Sequence, residues 1–143
     1  MVSVQERFTQ ALHDGARAWR AALERRLRDG GLTMAGWSAL AALVASQAAP
    51  SQRALARQLG VDGATLVTTI DRLEAGGLVE RLSSPGDRRV RLVGLTAQGR
   101  ALAAEIDAFT AALRRDAVGA IDEARLDAAA GVLEALRDVL ERP

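Results

Sequence analysis

Residues 62–96, DGATLVTTIDRLEAGGLVERLSSPGDRRVRLVGLT, limit most strongly what the rest of the chain can be. The stretch opens with helical periodicity, passes the double glycine Gly76-Gly77, and continues as two short segments on either side of Ser83-Ser84-Pro85-Gly86-Asp87. This order predicts a helix to about residue 75, an exit through glycine, and a two-stranded hairpin. On a helical wheel Leu66, Ile70 and Leu73 fall together. Ala64, Thr65, Thr68 and Arg72 lie opposite them, and Thr69 sits at the edge of that outward face. In the hairpin Val90 and Leu92 alternate with Arg89 and Arg91, so Val90 and Leu92 are expected on the packed side. A lone two-stranded hairpin is not stable in water. It must lean on the helices.

The segments before and after supply those helices. Ser51 is placed to cap a short helix, Gln52 to Leu59, with Leu55 and Leu59 inward, Arg53 and Arg57 outward, and Gly60 at its end. A short helix, a glycine turn and a second helix form a helix-turn-helix candidate. Nearer the amino terminus, Ser3-Val4-Gln5-Glu6 has the spacing of a capping box. Phe8, Leu12, Ala16, Trp19, Leu23 and Leu27 follow as one apolar stripe, which stops at Asp29-Gly30-Gly31. Thr33 can cap a second helix carrying Trp37, Leu40, Ala41 and Val44, which ends before Pro50. Thr96 and Asp122 can cap a fifth helix to about Val118 and a sixth to about Leu140. Their stripes are Leu102, Ile106, Phe109 and Leu113, and Leu126, Leu133, Leu136 and Leu140.

The expected fold is therefore mostly α with a small β-wing: a winged helix-turn-helix of six helices plus a two-stranded hairpin. A core of this size cannot bury the terminal stripes, so two chains are expected to pair through their first, fifth and sixth helices. A monomeric intramolecular bundle is the alternative. The division that follows is a single chain, 1–143, with residues 33–95 as a nucleic-acid-binding lobe and residues 1–32 and 96–143 as dimerisation helices.

Composition narrows the chemistry. Cysteine is absent, which excludes disulfides, thiolate metal ligands and a thiol redox sensor. Histidine occurs once and lysine and tyrosine not at all, so no His-rich metal centre, Ser/His/Asp triad, Schiff-base lysine or P-loop lysine can be assembled. An enzyme is not expected, and neither is a cofactor. No apolar run approaches the roughly 20 residues of a membrane span, and the amino terminus lacks a signal-peptide layout. The expected location is the cytoplasm, away from membranes.

Net charge is only +1, but it is unevenly spread. Residues 51–100 hold eight arginines against five acidic residues, and residues 101–143 hold five against nine. Within residues 81–100 there are five arginines and one aspartate, so positive charge gathers on the hairpin. A small, hydroxylated and basic helix face suits a DNA major groove, although the same face also reads as an ordinary solvated one. Arginines on a projecting hairpin suit a narrow minor groove, although the same tip also reads as a charged, soluble loop. Asp87 repels phosphate and is expected to hold an arginine fork.

Leu55-Ala56-Arg57-Gln58-Leu59-Gly60, then Asp71-Arg72-Leu73-Glu74-Ala75-Gly76-Gly77-Leu78-Val79-Glu80-Arg81, then Pro85-Gly86-Asp87-Arg88-Arg89 and Leu95-Thr96-Ala97-Gln98-Gly99 occur in this order. In that order and spacing the chain resembles the MarR family of bacterial winged-helix regulators over nearly its whole length. The resemblance implies a homodimer on a pseudo-palindromic double-stranded DNA operator, with the fourth helix in the major groove and the wing in the flanking minor groove. By position it makes Arg89 the minor-groove residue, braced by Asp87, with Arg88 turned to phosphate. Arg72 and Arg81 become backbone or wing-support contacts, and Thr65, Thr68 and Thr69 lie at or near bases. Arg91 belongs with the basic wing, and Ser51, Arg53 and Arg57 are the candidate contacts to the DNA backbone. The family also implies release by a small aromatic or anionic effector, in a pocket walled by the first, second and fifth helices. His13, Arg17, Trp19 and Trp37 are the candidates there, although both tryptophans also read as core. The expected function is a sequence-specific, DNA-binding transcriptional repressor. A winged-helix module for protein interaction, without sequence-specific DNA binding, is the alternative.

Overall fold

The computed structural model describes residues 1–142. Its elements are α1 (Val4–Asp29), α2 (Met34–Ala45), α3 (Gln52–Leu59), α4 (Gly63–Ala75), β1 (Val79–Ser83), β2 (Arg91–Leu95), α5 (Ala97–Val118) and α6 (Glu123–Leu140). The expected fold, six helices and a hairpin, is the one observed.

Each helix starts where a side-chain oxygen can take up a free amide donor. At α1 the box closes both ways: the Glu6 amide donates to Ser3 Oγ at 3.1 Å, and the Ser3 amide donates to Glu6 Oε2 at 2.7 Å. Thr33, Ser51, Asp62, Thr96 and Asp122 each accept from the amide three residues on, at 2.8 to 3.2 Å. Gly60 leaves α3 at φ +66° and Gly77 leaves α4 at φ +73°, backbone states that a side chain would strain.

The chain divides into two compact units, one ending at Asp107 and one starting at Ala108. The core of the first is built from Leu27, Leu32, Leu40, Leu43, Leu55, Leu66, Ile70, Leu73, Val79, Val93 and Ile106, with Trp37, Leu59 and Leu102 packed half-buried against it. In the second unit α6 turns most of its apolar residues to solvent: Val132, Leu133, Val139 and Leu140 are all exposed. On α1 only Leu23 and Leu27 of the apolar stripe are buried, and Phe8 is exposed.

Two expectations about packing are corrected. In α2 the inward residues are Gly36, Ala39, Leu40, Ala42 and Leu43, whereas Ala41 and Val44 face outward. The helix has almost no polar residues, so periodicity gave its faces little contrast. In the hairpin, residues 84–90 form the tip and β2 starts only at Arg91. Its pairs are Val79 with Leu95, Arg81 with Val93, Leu82 with Leu92, and Ser83 with Arg91. Val93 is fully buried, whereas Leu92 is only half-buried, on the opposite side with the exposed Leu82. The packed face is therefore one residue out of step with the Val90/Leu92 expectation, and a slip of one residue exchanges every side chain between faces. The hairpin is tied to the α2–α3 connection as well, where the Val93 amide donates to the Pro50 carbonyl at 2.9 Å.

Candidate nucleic-acid interface

The α3–α4 corner presents one exposed helix surface. Leu66, Ile70 and Leu73 anchor α4 in the core, which leaves Ala64, Thr65, Thr68 and Arg72 exposed and Thr69 half-exposed. Arg53 and Arg57 lie outward on α3, and Ser51 is half-buried because its oxygen caps that helix. Asp62 does more than cap α4. Its Oδ1 accepts the Thr65 amide at 2.8 Å, and its Oδ2 accepts the Thr65 hydroxyl at 2.7 Å. The hydroxyl bond, and after it the amide bond, holds the Asp62 carboxyl below its usual range.

Arg81 shows what the register does to the wing. As the partner of Val93 it shares the packed face, and its side chain is only 20 % exposed. Its Nε donates to Gln52 Oε1 at 2.6 Å, one terminal nitrogen to Glu74 Oε1 at 2.9 Å, and the other to Asp71 Oδ1 at 2.6 Å. The Arg81 amide also donates to Glu74 Oε2, at 3.0 Å. One guanidinium thus joins α3, α4 and β1. Burial by itself would lower its pKa, but hydrogen bonds and charge attraction from Asp71 and Glu74 outweigh that and raise it. With its donors directed to these partners, Arg81 is a strut of the wing.

The other wing residues project. Arg88, Arg89 and Arg91 are exposed, and among the described residues no carboxylate lies within ion-pair range of Arg88 or Arg89. Arg91 makes only a long contact, 3.5 Å, to Ser83 Oγ. Asp87 differs from expectation: its Oδ1 accepts the backbone amide of Arg89 at 2.9 Å, so it shapes the turn and does not hold a guanidinium fork.

The four candidate effector residues are distributed over α1 and α2. His13 and Arg17 are exposed on α1, where Arg17 pairs with Asp14 at 2.7 Å, and Trp19 is half-buried. Trp37 lines a recess of about 460 Å³ with Ala41, Val44, Arg100 and Asp107. A larger cleft of about 810 Å³ lies elsewhere in the first unit, between Gly30–Gly36, α4 and the start of α5. Thr65, Thr68, Thr69 and Arg72 line one side of it, and Gln98, Leu102 and Glu105 another. The sequence reading also missed Val67, exposed on α4, and the partners of Arg81. Val67 sits on the flank of the wheel, between the inward and outward faces, so periodicity left its exposure open. For the strut no signal was present, because the partners lie 7 to 29 residues away in the chain.

A capped helix-turn-helix followed by a hairpin braced against its second helix, with a basic tip, defines a winged helix-turn-helix. Residues 30–90 match the sequence model of the MarR family. Among solved structures, the transcriptional regulator PA3341 is 40 % identical, with a TM-score of 0.73 over 94 % of this chain and 98 % of its own. BpsR of Bordetella bronchiseptica, whose DNA binding is regulated by 6-hydroxynicotinic acid, is 28 % identical, with a TM-score of 0.74 over 100 % and 99 %. A MepR mutant of S. aureus, bound to an oligodeoxyribonucleotide, shares the fold at 19 % identity, with a TM-score of 0.70 over 94 % and 98 %. The chain belongs to the MarR family. Members of that family are transcription regulators and not enzymes. Among the described residues no helix is long and apolar enough to cross a membrane.

Proposed function

We propose that this protein is a sequence-specific DNA-binding repressor that acts as a homodimer on a pseudo-palindromic operator. The observation that carries the reading is the pairing of two exposed surfaces. The outward face of α4 holds Thr65, Thr68, Thr69 and Arg72, and the wing tip holds Arg88 and Arg89 without internal ion-pair partners among the described residues. In this reading α4 enters the major groove, Arg89 enters the flanking minor groove, and Arg53, Arg57, Arg88 and Arg91 meet phosphates. The lobe is residues 33–95. Residues 1–32 and 96–143 form the dimer, supported by the exposed apolar residues of α1 and α6.

A small aromatic anion is the proposed effector, supported by the regulation of BpsR by 6-hydroxynicotinic acid. The cleft beside α4 is a second candidate seat alongside the His13, Arg17, Trp19 and Trp37 set, because Arg72 supplies a cation and Leu32, Leu73 and Leu102 supply an apolar wall. An effector there occupies the face that reads DNA.

Selection from random-sequence duplexes tests the function. An enriched palindrome with half-sites about 10 base pairs apart is expected, with affinity falling steeply as salt rises. Recovery of no sequence, with the protein fully folded, would refute DNA reading and leave a protein-interaction module.

A further inference from the structure

We propose that α4 reads thymine through its 5-methyl group, and that Val67 is the principal residue that does so. The inference rests on the DNA-binding reading above and adds the chemistry of the base. Arg72, in its last turn, apart, the exposed residues of α4 include no Arg, Lys, Asn or Gln, the side chains that grip guanine or adenine with two hydrogen bonds. The hydroxyl protons are committed within the protein: Thr65 to Asp62 Oδ2 at 2.7 Å, Thr68 to the Ala64 carbonyl at 3.2 Å, and Thr69 to the Thr65 carbonyl at 3.1 Å. These threonines offer methyl groups and acceptor lone pairs, but no spare donor.

Val67 is 40 % exposed and Val61 36 % exposed, and the two line a recess of about 420 Å³ between α3 and α4. Arg53 and Arg57 line the same recess. An apolar hollow flanked by cations matches one feature of a DNA duplex: a base-edge methyl with phosphates beside it. In the major groove only thymine carries that methyl. Leaving Val67 against water instead forgoes the free energy of covering it.

The test uses the full chain and the operator recovered by selection. Each thymine is replaced singly by uracil, which removes the methyl and keeps the hydrogen-bonding edge. Loss of about fourfold in affinity per contacted methyl is expected, the factor for burying one methyl-sized group. The sensitive positions are expected in two clusters, one in each half-site. Val67→Ala removes the uracil penalty at one position in each cluster, and Thr68→Ser, which deletes a methyl and keeps the hydroxyl, reduces it at a neighbouring one. An unchanged melting temperature in both variants shows that the fold persists. An enriched operator that tolerates uracil everywhere within twofold overturns the methyl readout and leaves DNA binding standing. A uracil penalty identical in wild type and both variants overturns the assignment to α4. Failure to enrich any sequence overturns both readings together.

Discussion

The Arg81 strut lends itself to a quantitative test through Arg81→Ala. The substitution removes three side-chain hydrogen bonds from a guanidinium that is 20 % exposed. Bonds to charged partners contribute about 1.5–3 kcal/mol each when enclosed. Asp71 and Glu74 are 59 % and 43 % exposed and rehydrate once freed, so roughly 0.5–1 kcal/mol each is the fitting figure. The Gln52 bond adds about 1 kcal/mol. The apolar stem of the arginine adds a few tenths more. The loss is about 2–3 kcal/mol in all. Unfolding entropy for 143 residues is about 0.3 kcal/mol per kelvin, so Tm should fall by about 7–10 °C. Circular dichroism melts at low salt and at about 1 M salt are the assay. The part due to Asp71 and Glu74 should shrink at high salt, because their carboxylates are half-exposed and screened, while the part due to the Gln52 bond and the arginine stem persists. Arg81→Lys should recover part of it, since one ammonium cannot serve three acceptors in fixed directions. The Arg81→Ala/Glu74→Ala pair should be non-additive. A Tm change below about 2 °C, or simple additivity, refutes the strut.

Other perturbations separate the remaining parts. Arg89→Ala should weaken operator binding and flatten the preference for A/T-rich flanks while leaving Tm unchanged, and unchanged affinity on a flank library would sink the wing assignment. Gly99→Ala should destabilise by about 1–3 kcal/mol or more, read by urea unfolding, because an added Cβ collides with the Leu78 carbonyl where α5 starts beneath β1. Asp62→Asn keeps a cap at neutral pH. The folded Asp62 carboxyl is held below its usual range, so its contribution is complete above the ordinary carboxylate pKa and is lost as pH falls through the depressed value. The variant should therefore show a shallower loss of stability in acid than wild type, and parallel acid profiles would argue against the Asp62 cap as a source of acid sensitivity.

Local chemistry made much of this protein legible in its sequence. Ser3, Thr33, Ser51, Thr96 and Asp122 mark helix starts because an N-cap acts over three residues, and all five are found bonded as the pattern predicts. The outward face of α4 followed from Leu66, Ile70 and Leu73, since period and contrast were both strong there. What failed lacked contrast or was long-range. In α2 nearly every residue is apolar or small, so Ala41 and Val44 could not be told from Ala39 and Leu43. The hairpin register depended on pairing Arg81 with Val93, which no local pattern encodes. Arg81 drew notice as a basic residue near the wing, but its role came from Gln52, Asp71 and Glu74, brought to it only by folding. The effector candidates His13, Arg17, Trp19 and Trp37 were chosen for their chemistry, and no local pattern marked the cleft lined by Gly30, Thr65, Arg72 and Gln98.

The hairpin leaves the helices at Gly77 and rejoins them at Thr96, where the threonine hydroxyl donates to the Gly77 carbonyl at 2.6 Å. That stitch makes the wing a closed excursion: exit and return are fastened to each other, and residues 84–90 hang beyond the fastening. Doubling the length of such a loop costs only about 0.6 kcal/mol. Insertions at the tip should therefore cost the fold little, whereas changes at Gly77, Arg81 or Thr96 should cost it more. The wing is thus built as an exchangeable cassette, and under the proposed function its reach along DNA can change while α4 stays in place.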